Sequence, residues 1–237
     1  MRKKSLLERK ALERSDIVAN SQMNRRRGLT DANSYQRELG CDPVDILRDV
    51  CRQHGHAAWL DLCCGSGKAL IEAAAIAKEE SLLLKIVGID LVDMFDARCE
   101  QEGLQLIAAS VDDYQPALPF DLITSVHGLH YLGDKLGVIA KAARWLTSGG
   151  RFVANLDAKN LRLEGRRTSN LIFKYLRTAG FQYSPRMKRL ELQGPCELDL
   201  PLAYLGADDS AGPNYTGQAA VDSYYTSRKD AGRDPSR

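Results

Sequence analysis

The chain has 237 residues, 33 basic against 31 acidic side chains and 44% hydrophobic residues, 7% aromatic, enough for one domain with a substantial core and a terminal extension. Its apolar runs fall far short of the roughly eighteen residues that a membrane span requires, and Met1-Arg2-Lys3-Lys4 leads into Leu6, Leu7, Glu8 and Arg9, too charged for a secretory signal. Six cysteines, at 41, 51, 63, 64, 99 and 196, form no paired CxxC knuckles, so neither a disulfide scaffold nor zinc is expected and the reducing cytoplasm is the default location.

Charge is unevenly spread. Residues 1–28 carry nine basic and three acidic side chains, net +6, which leaves net −4 on the rest. Such an arm suits a solvated amphipathic helix; nucleic acid is the alternative partner, disfavoured because no aromatic side chains are interleaved for base stacking. Residues 1–20 read as a polar helix anchored by Leu6, Leu7, Ile17 and Val18, and Asn20 to Asn33, with Arg25-Arg26-Arg27-Gly28, reads as a loop. Residues 43–53 resume helical spacing behind Pro43, with Val44, Ile46, Leu47 and Val50 as the buried stripe.

From residue 57 short apolar runs alternate with helical segments. Strands are expected at Ala57–Leu62, Leu84–Asp90, Leu104–Ser110, Phe120–Val126 and Arg151–Leu156. Helices are expected from Ala69 onward, from Met94 to Glu102 and from Asp134 to Leu146, the last closed by Thr147-Ser148-Gly149-Gly150. A helix from Asn170 to Ala179 precedes two strands, Met187–Leu192 and Glu197–Leu205, joined by Gln193-Gly194-Pro195-Cys196, and residues 206–218 read as loop. This alternation predicts an α/β fold: a doubly wound, seven-stranded, mostly parallel sheet with an antiparallel C-terminal edge hairpin and helices on both faces. The expected divisions are an N-terminal helical extension or lid at 1–54, the Rossmann-like domain at 55–225 and a disordered tail at 226–237.

The most informative segment is Trp59-Leu60-Asp61-Leu62-Cys63-Cys64-Gly65-Ser66-Gly67-Lys68. A hydrophobic strand runs into a small-residue turn that opens a helix, so backbone amides can approach a ligand. Asp90 ends the second strand, beside that turn, where a carboxylate can accept from both ribose hydroxyls. A dinucleotide fingerprint fails because Leu70 stands where its third glycine belongs, and a P-loop fails because Ala69 follows Lys68. Asp61 would repel a pyrophosphate and suits a ligand with an ammonium group, such as cationic S-adenosylmethionine.

These residues resemble the class I S-adenosylmethionine-dependent methyltransferases. Leu60-Asp61-Leu62-Cys63-Cys64-Gly65-Ser66-Gly67 looks like their first motif, Gly88-Ile89-Asp90 like their second and Phe120-Asp121-Leu122-Ile123 like their fourth. Leu146-Thr147-Ser148-Gly149-Gly150-Arg151-Phe152 is similar to their turn before strand five. The resemblance spans roughly residues 55–160 and implies S-adenosylmethionine as cofactor and S-adenosylhomocysteine as product. It implies a methionine-side role for Asp61 and Gly65-Ser66-Gly67, a ribose role for Asp90 and adenine packing for Leu91. Cys63 replaces the family's usual first glycine, and Ser110-Val111, followed by Asp112, stands where an acid and a small residue usually meet adenine, leaving the choice among the three open.

Methyl transfer from a sulfonium needs alignment and exclusion of water more than a fixed triad. The segment after strand four, Ser125-Val126-His127-Gly128-Leu129-His130-Tyr131, faces the methyl group in this fold. Ser125 is assigned to the cofactor, His127 to cofactor or substrate and His130 to a base or a structural role. Tyr35 or Arg26 could reach the methionine carboxylate from a lid, and Tyr204, Tyr215, Tyr224 and Tyr225 are candidates for the acceptor pocket or for edge packing. No Asn/Asp-Pro-Pro-Tyr segment follows strand four, and no cysteine lies between Cys99 and Cys196, which argues against amino-base and cytosine-C5 chemistry. Asp157 and Asn160 follow strand five without a matching carboxylate after strand four, so no metal is expected. The expected activity is methylation of an O or N atom of a small-molecule or peptide-derived acceptor; tRNA or rRNA methylation and a non-catalytic cofactor-binding protein are the alternatives.

Overall fold

The computed structural model describes residues 5–19, 26–96, 101–165 and 169–228. The N-terminal segment holds two short helices, α1 (Arg9–Glu13) and α2 (Asp16–Ala19), in place of one continuous helix. Helices α3 (Tyr35–Leu39) and α4 (Pro43–His54) follow. Ser34 caps α3 by accepting from Arg37 N, Asp42 caps α4 by accepting from Val44 N, and left-handed Gly40 and Gly55 end the two helices.

Strands β1 (Ala57–Leu62), β2 (Leu84–Asp90), β3 (Leu104–Ala108), β4 (Phe120–Ser125) and β5 (Leu146–Asn155) are parallel neighbours in the order β3-β2-β1-β4-β5. Helix α5 (Lys68–Glu79) connects β1 to β2, and α6 (Lys135–Arg144) leads into β5. Alternate residues of each strand enter different cores. Leu60, Leu62, Val87, Ile89, Ile123, Phe152 and Ala154 belong to one cluster with α6 and α7 (Asn170–Thr178). Ala57, Trp59, Ile86, Leu122 and Val153 belong to the other, with α4 and α5. A strand buried on both faces reads as a continuous apolar run, which is why β1, β2, β4 and the end of β5 were legible; β3, at the sheet edge, is only partly buried.

Several expectations need correction. Met94, Phe95 and Asp96 are not helical, Gln101 and Glu102 precede β3 as coil and turn, and residues 97–100 lie outside the described residues. Strand β5 begins at Leu146, so Thr147-Ser148-Gly149-Gly150 lies within it, with a register irregularity opposite Phe120–Leu122. The antiparallel edge is made by β7 (Gln182–Ser184) and β8 (Arg189–Gln193), with β8 against β5. The strand expected at Glu197–Leu205 is instead β9 (Leu202–Asp208), in a separate three-stranded sheet with β6 (Leu161–Leu163) and β10 (Asp222–Ser227). Thus Gly206–Asp208, read as loop, and Thr226 and Ser227, read as tail, are strand residues, while residues 229–237 lie outside the described residues.

Lys135 fastens this second sheet to the first. Its fully buried Nζ donates to Leu132 O (2.8 Å), Val221 O (2.8 Å) and Ser223 Oγ (2.9 Å). In its charged form the three ammonium protons meet three acceptors, with burial lowering the group to about 7, and an apolar replacement leaves buried carbonyls unpaired. Lys135→Met should therefore lower unfolding free energy by about 2–4 kcal/mol, measured by urea denaturation; a change within about 0.5 kcal/mol, the range of ordinary surface substitutions, would show that the contact contributes little.

Candidate active site

The crossover point of the sheet lies at β1, flanked by β2 and β4, and the turns leaving these strands open into one cleft. The cleft encloses about 980 Å³ of empty space, its open mouth included. Cys63 (φ 60°) and Gly65 (φ 61°) are left-handed, and left-handed Gly67 caps α5, folding the chain sharply back at the end of β1. Asp90 fixes this turn from β2: its Oδ2 accepts from Gly65 N (2.8 Å) and its Oδ1 from Val92 N (3.1 Å). Ser66 Oγ donates to Asp96 Oδ2 (2.8 Å), and Asp96 also pairs with Arg26 Nη2 (2.7 Å).

Of the expected site residues, Tyr35, Cys63, Gly65, Asp90, Leu91, Ser110, Val111, Asp112 and His127 line the cleft. Asp61, Ser66, Gly67, Ser125 and His130 are not among its lining residues. Asp61 lies fully buried beneath it, its Oδ1 accepting from Thr124 Oγ1 (2.5 Å) and its Oδ2 from Tyr35 Oη (2.6 Å). Register explains the first contact, because Asp61 of β1 lies opposite Thr124 of β4. Burial pushes the Asp61 carboxyl up to about 7, with the two hydroxyl donors opposing that shift. Asp61 therefore meets the cleft through Tyr35. Ser125 Oγ turns back to Leu62 O (3.0 Å).

The adenine-end candidates are tied down by the N-terminal segment. Ser110 Oγ donates to Glu13 Oε1 (2.7 Å) and Arg9 Nη1 to Asp113 Oδ1 (2.7 Å), while Lys141 Nζ donates to Asp112 Oδ1 (2.8 Å). Arg9, Leu12, Glu13 and Val18 line the cleft, so α1 and α2 form one of its walls. Helix α1 is itself held by Leu7, which exchanges backbone hydrogen bonds with Ala207 of β9.

Of Arg26 and Arg27, it is Arg27 that lines the cleft. Arg27 is buried, donates to Asn33 Oδ1 and lies 3.6 Å from Glu38 Oε1, whereas the exposed Arg26 side chain engages Asp96. Sequence reading missed Arg27, Glu38, Tyr131 and Gln218. A basic triplet gives no clue to which member turns inward, and α3 is only five residues long, too short for a periodic signal.

His127, left-handed at φ 59°, is buried with its Nε2 3.1 Å from Glu38 Oε2. Its backbone N donates to Asn155 Oδ1 (3.3 Å). Contact with His127, reinforced by Arg27 and Arg37, holds the Glu38 carboxyl below its ordinary value against the opposing effect of burial. The His130 ring lies 5.6 Å from that of His127, and both pack against Tyr215, at 5.6 and 5.8 Å. Burial, then the neighbouring His127 and Lys135, push His130 well below the ordinary histidine value, so its imidazole is neutral at pH 7. Tyr204 and Tyr225 pack on each other, and Tyr225 Oη donates to Asp134 Oδ1 (3.1 Å), which makes them part of the packing between the sheets.

A family model described as a methyltransferase domain matches residues 33–192, more than half of the chain. No curated protein sequence matches. Among solved structures, the N-methyltransferase NodS from Bradyrhizobium japonicum WM9, in complex with S-adenosylhomocysteine, is 17% identical, with 79% of this chain and 98% of that chain covered and a TM-score of 0.45. CalS10, an amino pentose methyltransferase from Micromonospora echinaspora, is 22% identical over 52% of this chain and 51% of that one, with a TM-score of 0.38. Coclaurine N-methyltransferase is 15% identical over 47% of this chain and 35% of that one, with a TM-score of 0.36.

Raising the Asp61 pKa on folding means that the folded state binds the proton more tightly than the unfolded chain. The stability so gained is fully present below about pH 4 and is lost as pH rises through about 7. Asp61→Asn should remove this fall, so that between pH 4 and 8 wild type loses roughly 2–4 kcal/mol relative to the variant, measured as denaturant midpoints across pH. Parallel profiles would show that Asp61 does not titrate in this window.

Proposed function

The chain belongs to the class I S-adenosylmethionine-dependent methyltransferases, and from that premise we propose that it methylates an O or N atom of a small-molecule or peptide-derived acceptor by in-line displacement. The observation that carries this reading is the cleft itself. A glycine turn pinned by Asp90, a buried arginine and tyrosine from the lid, and His127 all border one space.

The cofactor supplies a methyl group already activated as a sulfonium. The chain's own residues fit the rest of that molecule. Asp90 lies where a ribose would be accepted, since each carboxylate oxygen can take more than one hydrogen bond. Leu91 and Val111 offer apolar contact for adenine, and Ser110 and Asp112 its polar edge. Arg27 and Tyr35 take the charged end of the methionine, Arg27 as the partner for its carboxylate. Asp61 positions Tyr35, and Cys63, Gly65, Ser66, Gly67 and Ser125 shape the turn beneath. His127 orients the acceptor and receives its proton, with Glu38 at 3.1 Å to stabilise the imidazolium so formed. Neutral, buried His130 supports His127 and the acceptor end.

A small acceptor suits a cleft walled by α1. Arg9, Arg26 and Arg27 are paired with Asp113, Asp96 and Glu38, which leaves these basic groups of the arm engaged within the protein and weakens the RNA reading. Among the described residues Cys41, Cys51, Cys63, Cys64 and Cys196 are free thiols. No helix among the described residues is long and apolar enough to cross a membrane.

Calorimetric titration with S-adenosylhomocysteine tests the cofactor assignment: Asp90→Ala should weaken binding about tenfold or more, and unchanged affinity would remove Asp90 from the ribose. His127→Ala should lower kcat about tenfold or more while leaving cofactor affinity within about threefold. If turnover stays at the wild-type level, His127 has no part in the chemistry.

A further inference from the structure

The cleft's empty space of about 980 Å³, open mouth included, stands at the upper end of the range for pockets that hold one drug-sized ligand, roughly 300–1,000 Å³. A cofactor therefore leaves room for a small second molecule. With adenosine on the ends of β2 and β3 and the methionine end on Arg27 and Tyr35, part of the lining is left over. Apart from the turn after β1, the residues next to His127, and Arg9 and Glu13 at the adenine end, it consists of Leu12, Val18, Tyr131, Leu132, Gly133 and Gln218.

This wall is firmly built. Leu12 of α1 and Val18 of α2 pack with Ala207 of β9 and with Val221, just before β10. Gly133 lets them close in, since a Cβ there would stand 2.7 Å from Tyr204 Oη and 3.0 Å from Leu12 Cδ2. Gln218, on the loop between β9 and β10, is 8% exposed. Its backbone N donates to Asn214 Oδ1 (3.3 Å) and its O accepts from Asn214 N (2.7 Å), while nearby Val221 N donates to His130 O (2.9 Å). Leu12, Val18 and Gln218 also lie outside residues 33–192, the part that matches the methyltransferase domain, so the segments flanking that domain supply this side of the cleft.

The charged side chains that line the cleft are engaged elsewhere. Arg9 donates to Asp113, Glu13 accepts from Ser110, Arg27 lies beside Glu38, Asp90 holds Gly65 N and Val92 N, and Asp112 accepts from Lys141. Glu38 is met by His127 and Arg27 and does not line the cleft. An ionic acceptor against the Leu12–Gln218 wall would lose its hydration and find no opposite charge in return. What the wall offers is apolar surface and one neutral polar group. Gln218 Oε1 accepts from Tyr131 Oη (3.3 Å), while its amide N–H groups make no hydrogen bond among the described residues. An amide nitrogen only donates, so the occupant that satisfies it brings a lone pair.

We propose that Leu12, Val18, Tyr131, Leu132 and Gln218 form the acceptor subsite, and that it takes a mainly apolar molecule, uncharged at neutral pH, held by a hydrogen bond from the Gln218 amide to one of its oxygen or ring nitrogen atoms. This rests on the methyltransferase reading above and narrows its acceptor class, setting aside alkylammonium, carboxylate and phosphate compounds and charged peptides. A lone pair of the neutral hydroxyl or ring N–H nucleophile forms the bond to methyl as the sulfur–methyl bond breaks, with that electron pair remaining on sulfur. The proton released from the nucleophile passes to His127.

The test uses the full chain, S-adenosylmethionine carrying a ¹³C methyl group and a whole-cell extract, with the products partitioned into organic solvent at pH 7 and identified by NMR and mass spectrometry. The expected result is label in a small, extractable compound with no charged group at that pH. With the unmethylated form of that compound as substrate, Gln218→Leu should raise its KM about fivefold or more while S-adenosylhomocysteine affinity stays within about twofold of wild type. Val18→Asp, at a partly exposed position, should also raise the KM about fivefold or more and serves if Gln218→Leu does not fold. Label confined to ionic compounds or to macromolecules, an unchanged KM in folded Gln218→Leu, a lowered KM in Val18→Asp, or cofactor binding without any labelled product would each overturn the neutral subsite. Failure of the wild-type chain to bind S-adenosylhomocysteine at all would instead strike the methyltransferase reading beneath it.

Discussion

The carboxylate of Asp90 holds the cleft together. One oxygen accepts from Gly65 N and the other from Val92 N, so the end of β2 is fastened both to the turn after β1 and to its own continuation. Parallel pairing brings the two strand ends side by side, with Leu62 opposite Ile89. Gly65 has no Cβ, which lets it adopt φ 61° next to that carboxylate. If this tie is lost, the floor of the cleft is no longer defined, because Ser66 and the start of α5 hang from the same turn.

A second acid works below the first in a different way. Asp61 lies fully buried between Thr124 and Tyr35, and its role is to hold an aromatic hydroxyl at the cleft wall. Trp59 Nε1 donates to the same Thr124 oxygen (2.8 Å), and the Tyr35 ring meets Trp59 edge-on at 6.1 Å, so α3, β1 and β4 share one polar and aromatic junction. The N-terminal segment then continues through Arg27 and Glu38 to His127. The charge that the sequence places in the N-terminal arm is in this way partly spent inside the molecule, on pairs that close the cleft.

The sheet and the turn after β1 were legible in the sequence because their signals are local. Doubly buried strands read as apolar runs, the glycine turn sits at the junction of strand and helix, and Asp90 ends its strand at the expected distance. Ser110, Val111 and Asp112 were likewise found at the cleft. Glu38, which meets His127, was not legible, because it comes from a five-residue helix, too short for a periodic signal. The second sheet was missed for a related reason. β6 is three residues long and pairs with β10 some sixty positions away, and nothing in either segment announces the other. Asp61 was expected to face the ligand but lies beneath the cleft, since spacing alone does not reveal that Tyr35 and Thr124 cover it.

The central claim is that this cleft is built for a methyl donor bearing a charged amino acid end, not for a dinucleotide pyrophosphate. Calorimetry of the wild-type chain against S-adenosylhomocysteine and, separately, NAD tests it most directly. The account predicts saturable one-to-one binding of S-adenosylhomocysteine and no measurable heat with NAD; binding of NAD with no affinity for S-adenosylhomocysteine would contradict it.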